Sequence, residues 1–153
     1  TTCLVDLMAT CADIVGTKLP DSAGEDSVSN LPVWQGEAMD RSLREATIHH
    51  SVNGSFSIRR GKWKLEMCAG SGGWSYPKPG EACEGLPPIQ LYDLEADIGE
   101  KQNVYDKHPD VVAELKALLT KVVTDGRSTP GEKQGNAGGI EWPQLWWMLS
   151  QTH

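Results

Sequence analysis

Three carboxylates stand at alternate positions in IQLYDLEADIGEKQNV (residues 89–104): Asp93, Glu95 and Asp97, followed by Gly99. Alternating acidic side chains open many calcium loops, so chelation is the first chemistry to test. Numbered from Asp93, an EF-hand needs Gly at residue 98 and a bidentate Glu at residue 104. Ile98 and Val104 stand there instead, and the spacing fails both tests. The same residues suit a turn at a strand end. Asp93 and Asp97 can accept hydrogen bonds from the backbone that follows them, and Gly99 tolerates conformations that other residues resist.

The other chemistry-bearing residues are less complete as sites. His49 and His50 are adjacent; on a strand they point to opposite faces and cannot share one metal simply as neighbours. One could be buried and hydrogen-bonded while the other reaches solvent or a cleft. Asp6 or Asp13 could serve a distant Ser and His, but the chain holds no G-x-S-x-G elbow. Arg59, Arg60, Lys62 and Lys64 form a basic patch, either an anion holder or the solvated face of a hairpin. The Gly70-Ser71-Gly72-Gly73 run lacks the lysine and following helix of a phosphate-binding loop. Trp74, Trp142, Trp146 and Trp147 permit stacking on sugar rings, and equally packing into a core or against a partner. No catalytic residue and no metal ligand set emerges from these types and spacings.

The cysteines sharpen this. Cys3, Cys11, Cys68 and Cys83 contain no CxxC pair, so a structural zinc site is not expected. Cys3 and Cys11 fall on one predicted helix, about 12 Å apart along its axis, beyond the roughly 4.4–6.8 Å between the Cα atoms of a disulfide. Cys68 and Cys83 flank a Gly/Pro loop. They could be a disulfide in an exported protein, or free buried thiols otherwise.

Elements must hold these residues in place. Leu4, Leu7, Met8, Cys11 and Val15 recur at near-helical spacing, which predicts an amphipathic helix over 3–15 stopped by Gly16. Residues 17–30 read as polar loop and 31–36 as a short helical turn. From residue 45 the period becomes two. EATIHHS (45–51) predicts a strand; Phe56 and Ile58, a turn at Arg60-Gly61, then Trp63, Leu65 and Met67 predict a hairpin with one apolar face. Residues 69–88 are a long Gly/Pro loop, a type that often carries function. Residues 89–94 predict a further strand. Pro109 opens a helix whose stripe is Val111, Val112, Leu115, Leu118, Leu119 and Val122, ended at Asp125-Gly126. The tail is Gly-rich up to IEWPQLWWML (140–149), whose three tryptophans should dock on something apolar. The sum is an α+β unit: a small antiparallel sheet of four strands packed against a C-terminal helix. The helix at 3–15 has no evident partner within the chain.

Composition bounds the function classes. At 153 residues, 39% of them hydrophobic, the chain suits one ordinary domain with its own core. A net charge of -7 argues against nucleic acid as partner, and no run approaches the roughly 18 apolar residues of a membrane span. The chain begins TTCLVDLM, without initiator Met or signal peptide, as though a segment belonged before it.

Taken in order, CLVDLMATCADIVGTKLP (3–20), FSIRRGKWKLEM (56–67) and LYDLEADIGEKQNV (91–104) resemble the C-terminal part of the formylglycine-dependent sulfatases, on the arylsulfatase branch. The similarity runs over residues 3–125. The resemblance implies that residues 1–36 end a large alkaline-phosphatase-like α/β domain. Residues 37–126 would form the C-terminal subdomain and residues 127–153 a Gly-rich linker with a Trp-rich tail. It also implies hydrolysis of sulfate esters, on an aryl sulfate or a sulfated saccharide. Formylglycine and calcium would then be held in an N-terminal sulfatase domain outside this chain, which would be its partner. None of the four cysteines here is followed by x-Pro-x-Arg, the context of formylglycine. The subdomain is expected to rim the substrate cleft, with His49, His50 and Trp74 as candidate substrate-binding residues. The family is often periplasmic or secreted. Ile98 stands where the family turn has Pro, which leaves more freedom to the unfolded chain, about 0.4–1 kcal/mol. The alternative from another class is a stand-alone module that binds glycans or another protein.

Overall fold

The period-two alternation of residues 56–67 folds into the hairpin it predicts, in a computed structural model that describes residues 1–137 and 142–149. Strand β1 spans Thr47–His50, β2 Phe56–Arg60, β3 Trp63–Glu66 and β4 Gln90–Asp93. They form one antiparallel sheet in the order β1-β2-β3-β4. The register sets Ile58 opposite Leu65 and Leu65 opposite Leu91. All three are fully buried, a row of branched side chains across the sheet. The hairpin turn falls one residue later than expected. Arg60 pairs with Trp63, which leaves Gly61-Lys62 as the loop, with Gly61 at φ +57°. A two-residue hairpin favours a left-handed residue there, and Arg60 stays on the strand to meet Glu114 at 2.7 Å.

The chain divides into two compact units: residues 1–47 with 121–137, and residues 48–120 with the tail. The second unit holds the sheet and most of the helix that begins at Pro109. Its surprise is the tail. A 3-10 turn at Pro143–Leu145 leads into α4, Trp146–Leu149. Trp147 is fully buried, edge-on to Phe56 of β2 at 5.5 Å, and donates from Nε1 to Thr120 Oγ1 at 3.1 Å. Trp146 Nε1 donates to the Met67 carbonyl at 3.2 Å, and Gln144 Nε2 to the Asn53 carbonyl at 2.8 Å. The expected docking of the tryptophans is therefore selective: Trp142 and Trp146 stay partly open to solvent. Residues 138–141 and 150–153, including the first two of the Trp-rich segment, lie outside the described residues.

Helix α3 spans Pro109–Asp125. Pro109 opens it, Leu115 and Leu119 are its buried residues, and Gly126 at φ +63° closes it.

The first unit is organised by polar groups. A 3-10 turn at Leu4–Asp6 runs into α1, Leu7–Ile14, and α2 is the single turn Leu31–Trp34. Asp6 is buried and accepts the N–H groups of Cys3 at 2.9 Å and Val28 at 3.1 Å. It also pairs with Arg44. Thr10 donates to the Asp6 carbonyl at 2.6 Å and accepts from the Asn30 N–H at 3.0 Å. Buried Arg127 donates to Asp21 at 3.0 Å and to the carbonyls of Thr129, Pro130 and Glu132. The inward face of α1 is thus Thr10 and Ala12, while the stripe of Leu4, Leu7, Met8 and Val15 faces outward. Among the described residues no helix is long and apolar enough to cross a membrane.

Candidate functional site

His49 and His50 end strand β1, and both are exposed; the expected burial of one of them does not occur. His50 lies against Phe56, ring centroids 4.1 Å apart. The Phe56 ring screens one side of this exposed imidazole from water, and that desolvation pushes its pKa below the ordinary value, so the imidazole is neutral near pH 7. Its nitrogens can then donate to one group and accept from another. The chain turns immediately afterwards: Ser51 N–H reaches the Ser55 carbonyl at 2.9 Å, Asn53 Oδ1 accepts from the Ser55 N–H at 3.0 Å, and Gly54 sits at φ +83°.

That turn is joined to the Gly-rich loop. Asn53 N–H donates to the Gly72 carbonyl at 3.1 Å. Gly72 has φ +62°, and a Cβ there would lie 2.5 Å from Ser51 Oγ and 2.8 Å from Ser51 Cβ, so glycine both takes up the left-handed conformation and leaves room for the Ser51 side chain. The loop base is pinned to β4, because Gln90 Nε2 donates to the carbonyls of Cys68 at 2.9 Å and Gly70 at 3.0 Å. From this anchored base the loop presents Trp74, 84% exposed, and Tyr76, 82% exposed. The fold thus joins the segments that carry His49, His50 and Trp74. Tyr76 went unnoticed in the sequence, although it stands two residues from Trp74 in the same Gly/Pro run.

In the acidic turn after β4 the Asp93, Asp97 and Glu100 carboxylates are engaged. Asp93 Oδ1 accepts the N–H groups of Glu95 and Ala96 at 3.1 and 3.3 Å, and Asp93 Oδ2 meets Lys62 at 2.7 Å. The Lys62 ammonium and those N–H groups hold the Asp93 carboxyl below its usual range. Asp97 Oδ2 accepts the N–H groups of Lys101 and Gln102 at 2.6 and 2.8 Å. The special backbone conformation belongs to Glu100, at φ +52°, and not to Gly99. The Glu100 carboxylate is gripped by Lys64 at 2.7 and 2.8 Å, which holds a non-glycine residue in a left-handed conformation. Asn103 Oδ1 accepts from Leu91 N–H at 2.9 Å and Tyr105 N–H at 3.1 Å, so it stitches the turn back to β4.

Within this turn Asp93 and Asp97 are held by the backbone N–H groups that follow them and by Lys62. Among the described residues no group of three or more His, Cys, Asp and Glu is arranged to hold a metal. No cysteine has the sequence context of formylglycine. The basic patch is matched in the same way. Arg60 pairs with Glu114 at 2.7 Å, and Lys64 with Glu66 at 2.8 Å and Glu100 at 2.7 Å. Arg59 Nε donates to the Gly61 carbonyl at 3.2 Å. Burial alone would lower the Lys64 pKa, but the Glu100 and Glu66 carboxylates outweigh it and raise it. The patch is the charged face of a hairpin.

No family model matches the chain. It is 35% identical over 120 residues to the N-acetylgalactosamine-6-O-sulfatase of Bacteroides thetaiotaomicron, covering 78% of this chain and 23% of that protein. It is 30% identical over 146 residues to arylsulfatase A of Bos taurus, covering 85% and 28% respectively. The chain therefore spans about a quarter of the length of these relatives. Among solved structures, one from glycosaminoglycan metabolism by Bacteroides thetaiotaomicron superposes with a TM-score of 0.59 at 33% identity, over 76% of this chain and 24% of that one.

Proposed function

The chain belongs to the sulfatases, where it matches their C-terminal region, and from that premise we propose that it lines the substrate cleft of a sulfate-ester hydrolase. In this reading it positions the group that carries the sulfate. The observation that carries the proposal is the Asn53–Gly72 backbone bond. It ties the turn after His49-His50 to the loop that presents Trp74, so the strand end carrying the histidines and the loop carrying an exposed indole are joined segments. A neutral His50 offers a donor and an acceptor to sugar hydroxyls, and the face of Trp74 offers a stacking plane for a pyranose ring. A sulfated saccharide uses both, whereas a small aryl sulfate uses few of these contacts. Nucleophile and cation come from elsewhere in the protein: formylglycine and calcium in a preceding sulfatase domain, which is the partner of this subdomain.

The test uses a full-length enzyme containing this region. His49→Ala, His50→Ala and Trp74→Ala should each lower kcat/KM on a sulfated oligosaccharide roughly 3- to 10-fold, with little change on a small aryl sulfate. Unchanged kcat/KM in all three variants, with unchanged Tm, would overturn the reading. A second reading, a stand-alone glycan-binding module, is favoured only by the exposure of Trp74 and Tyr76. Calorimetric titration of the 153-residue chain with the same oligosaccharide separates the two: saturable binding by the chain alone supports the module.

A further inference from the structure

Two thiols distant in sequence meet at one glycine. Cys68 leaves the end of the β2–β3 hairpin, and its S–H donates to the Gly70 carbonyl at 3.1 Å. Cys83 closes the 3-10 turn Glu81–Cys83, and its S–H donates to the Lys78 carbonyl at 3.2 Å. Its sulfur packs so closely on Gly70 that a Cβ there would lie 2.5 Å away. The same missing side chain leaves room for the Pro77 carbonyl at 2.6 Å, which accepts the Ser71 N–H at 2.9 Å. The loop therefore doubles back on its own base at Gly70, with one thiol at the carbonyl of that residue and the other at its Cα. Burial first, then the Glu66 carboxylate and Cys83 itself, push the Cys68 thiol above its ordinary pKa. Both cysteines are free thiols here and neither is fully buried.

We propose that Cys68 and Cys83 are a disulfide-forming pair that staples the base of the loop carrying Trp74 and Tyr76. The oxidant is a small-molecule disulfide such as oxidised glutathione. The more open thiol, Cys83, loses its proton and attacks one glutathione sulfur. That sulfur–sulfur bond breaks, and the departing glutathione thiolate takes up a proton. Deprotonated Cys68 then attacks Cys83 Sγ, forms the protein disulfide and releases the second glutathione. Two protein thiols are oxidised by two electrons, and one glutathione disulfide is reduced to two thiols. Gly70 is the enabling residue, because any side chain there would push Cys83 out of reach. The sequence left this pair open between a disulfide and free thiols; the convergence on Gly70 argues for a pair built to close.

The test equilibrates the 153-residue chain in a glutathione redox buffer, caps free thiols with iodoacetamide and maps the peptides by mass spectrometry without reduction. The expected product is a Cys68–Cys83 linked peptide, lighter by two hydrogens, with Cys3 and Cys11 capped. Gly70→Val should lower its yield severalfold in the same buffer, and Cys68→Ser should leave Cys83 as a mixed disulfide with glutathione. The proposal is overturned if Cys68 and Cys83 are both capped or each carries glutathione. It is also overturned if Cys83 pairs with Cys3 or Cys11, or if Gly70→Val closes the bridge as readily as the parent.

Discussion

Asp6 is a carboxylate only 2% exposed, and its surroundings decide its charge. Burial alone would raise its pKa, but the N–H groups of Cys3 and Val28 and the Arg44 guanidinium outweigh burial and hold it below the ordinary value. Because the folded value is depressed, ionised Asp6 stabilises the fold above the unfolded value of about 4. That contribution is lost as the pH falls through the folded value. Asp6→Asn should therefore destabilise the first unit at pH 7 by about 1–3 kcal/mol. It should also flatten the loss of stability below about pH 4, both read from urea midpoints across pH. The sequence offered Asp6 only as a distant catalytic partner. Its structural role was not legible, because Val28 and Arg44 stand 22 and 38 residues away and no local pattern links them. Arg127 was hidden for the same reason, with Asp21 106 residues before it. Asp93 and Asp97 were legible because their N–H partners follow within a few residues.

At the scale of elements, strands and the long helix could be read because burial imposes a period. Ile58, Leu65 and Leu91 announce one face of a sheet, and Leu115 and Leu119 one face of a helix. The tail could not be read this way. Trp142, Trp146 and Trp147 follow no period that selects one of them, and only the fold sends Trp147 between Phe56 and Thr120. Trp147→Ala should cost about 3–5 kcal/mol, while Trp142→Ala should stay within about 0.5 kcal/mol, both by chemical denaturation. The candidate site was half legible. His49, His50 and Trp74 follow from residue type, but the Asn53–Gly72 bond that joins their segments depends on left-handed glycines in two loops. Sequence placed that conformation wrongly at least once, at Gly99 instead of Glu100.

For the molecule as a whole, net charge and surface pull in opposite directions. A charge of -7 favours dispersal, yet the α1 segment shows solvent a run of apolar side chains led by Leu4, 88% exposed, and Val15, 71% exposed. Contiguous apolar surface of this kind drives association. The 153-residue chain should therefore self-associate as its concentration rises, more strongly in high salt where like-charge repulsion is screened. The double variant Leu4→Glu/Val15→Glu should sediment as a monomer. A parent chain that stays monomeric throughout would refute this account of the surface.

Trp147 also sets an order of events during synthesis. The β2–β3 hairpin leaves the ribosome long before the segment that seals it, since Met67 waits for Trp146, 79 residues later. At translation speeds of about 5–20 residues per second, that interval is on the order of 4–16 s. Throughout it Phe56 has no lid, and the nascent hairpin offers its apolar face to any chaperone that binds exposed aromatic side chains.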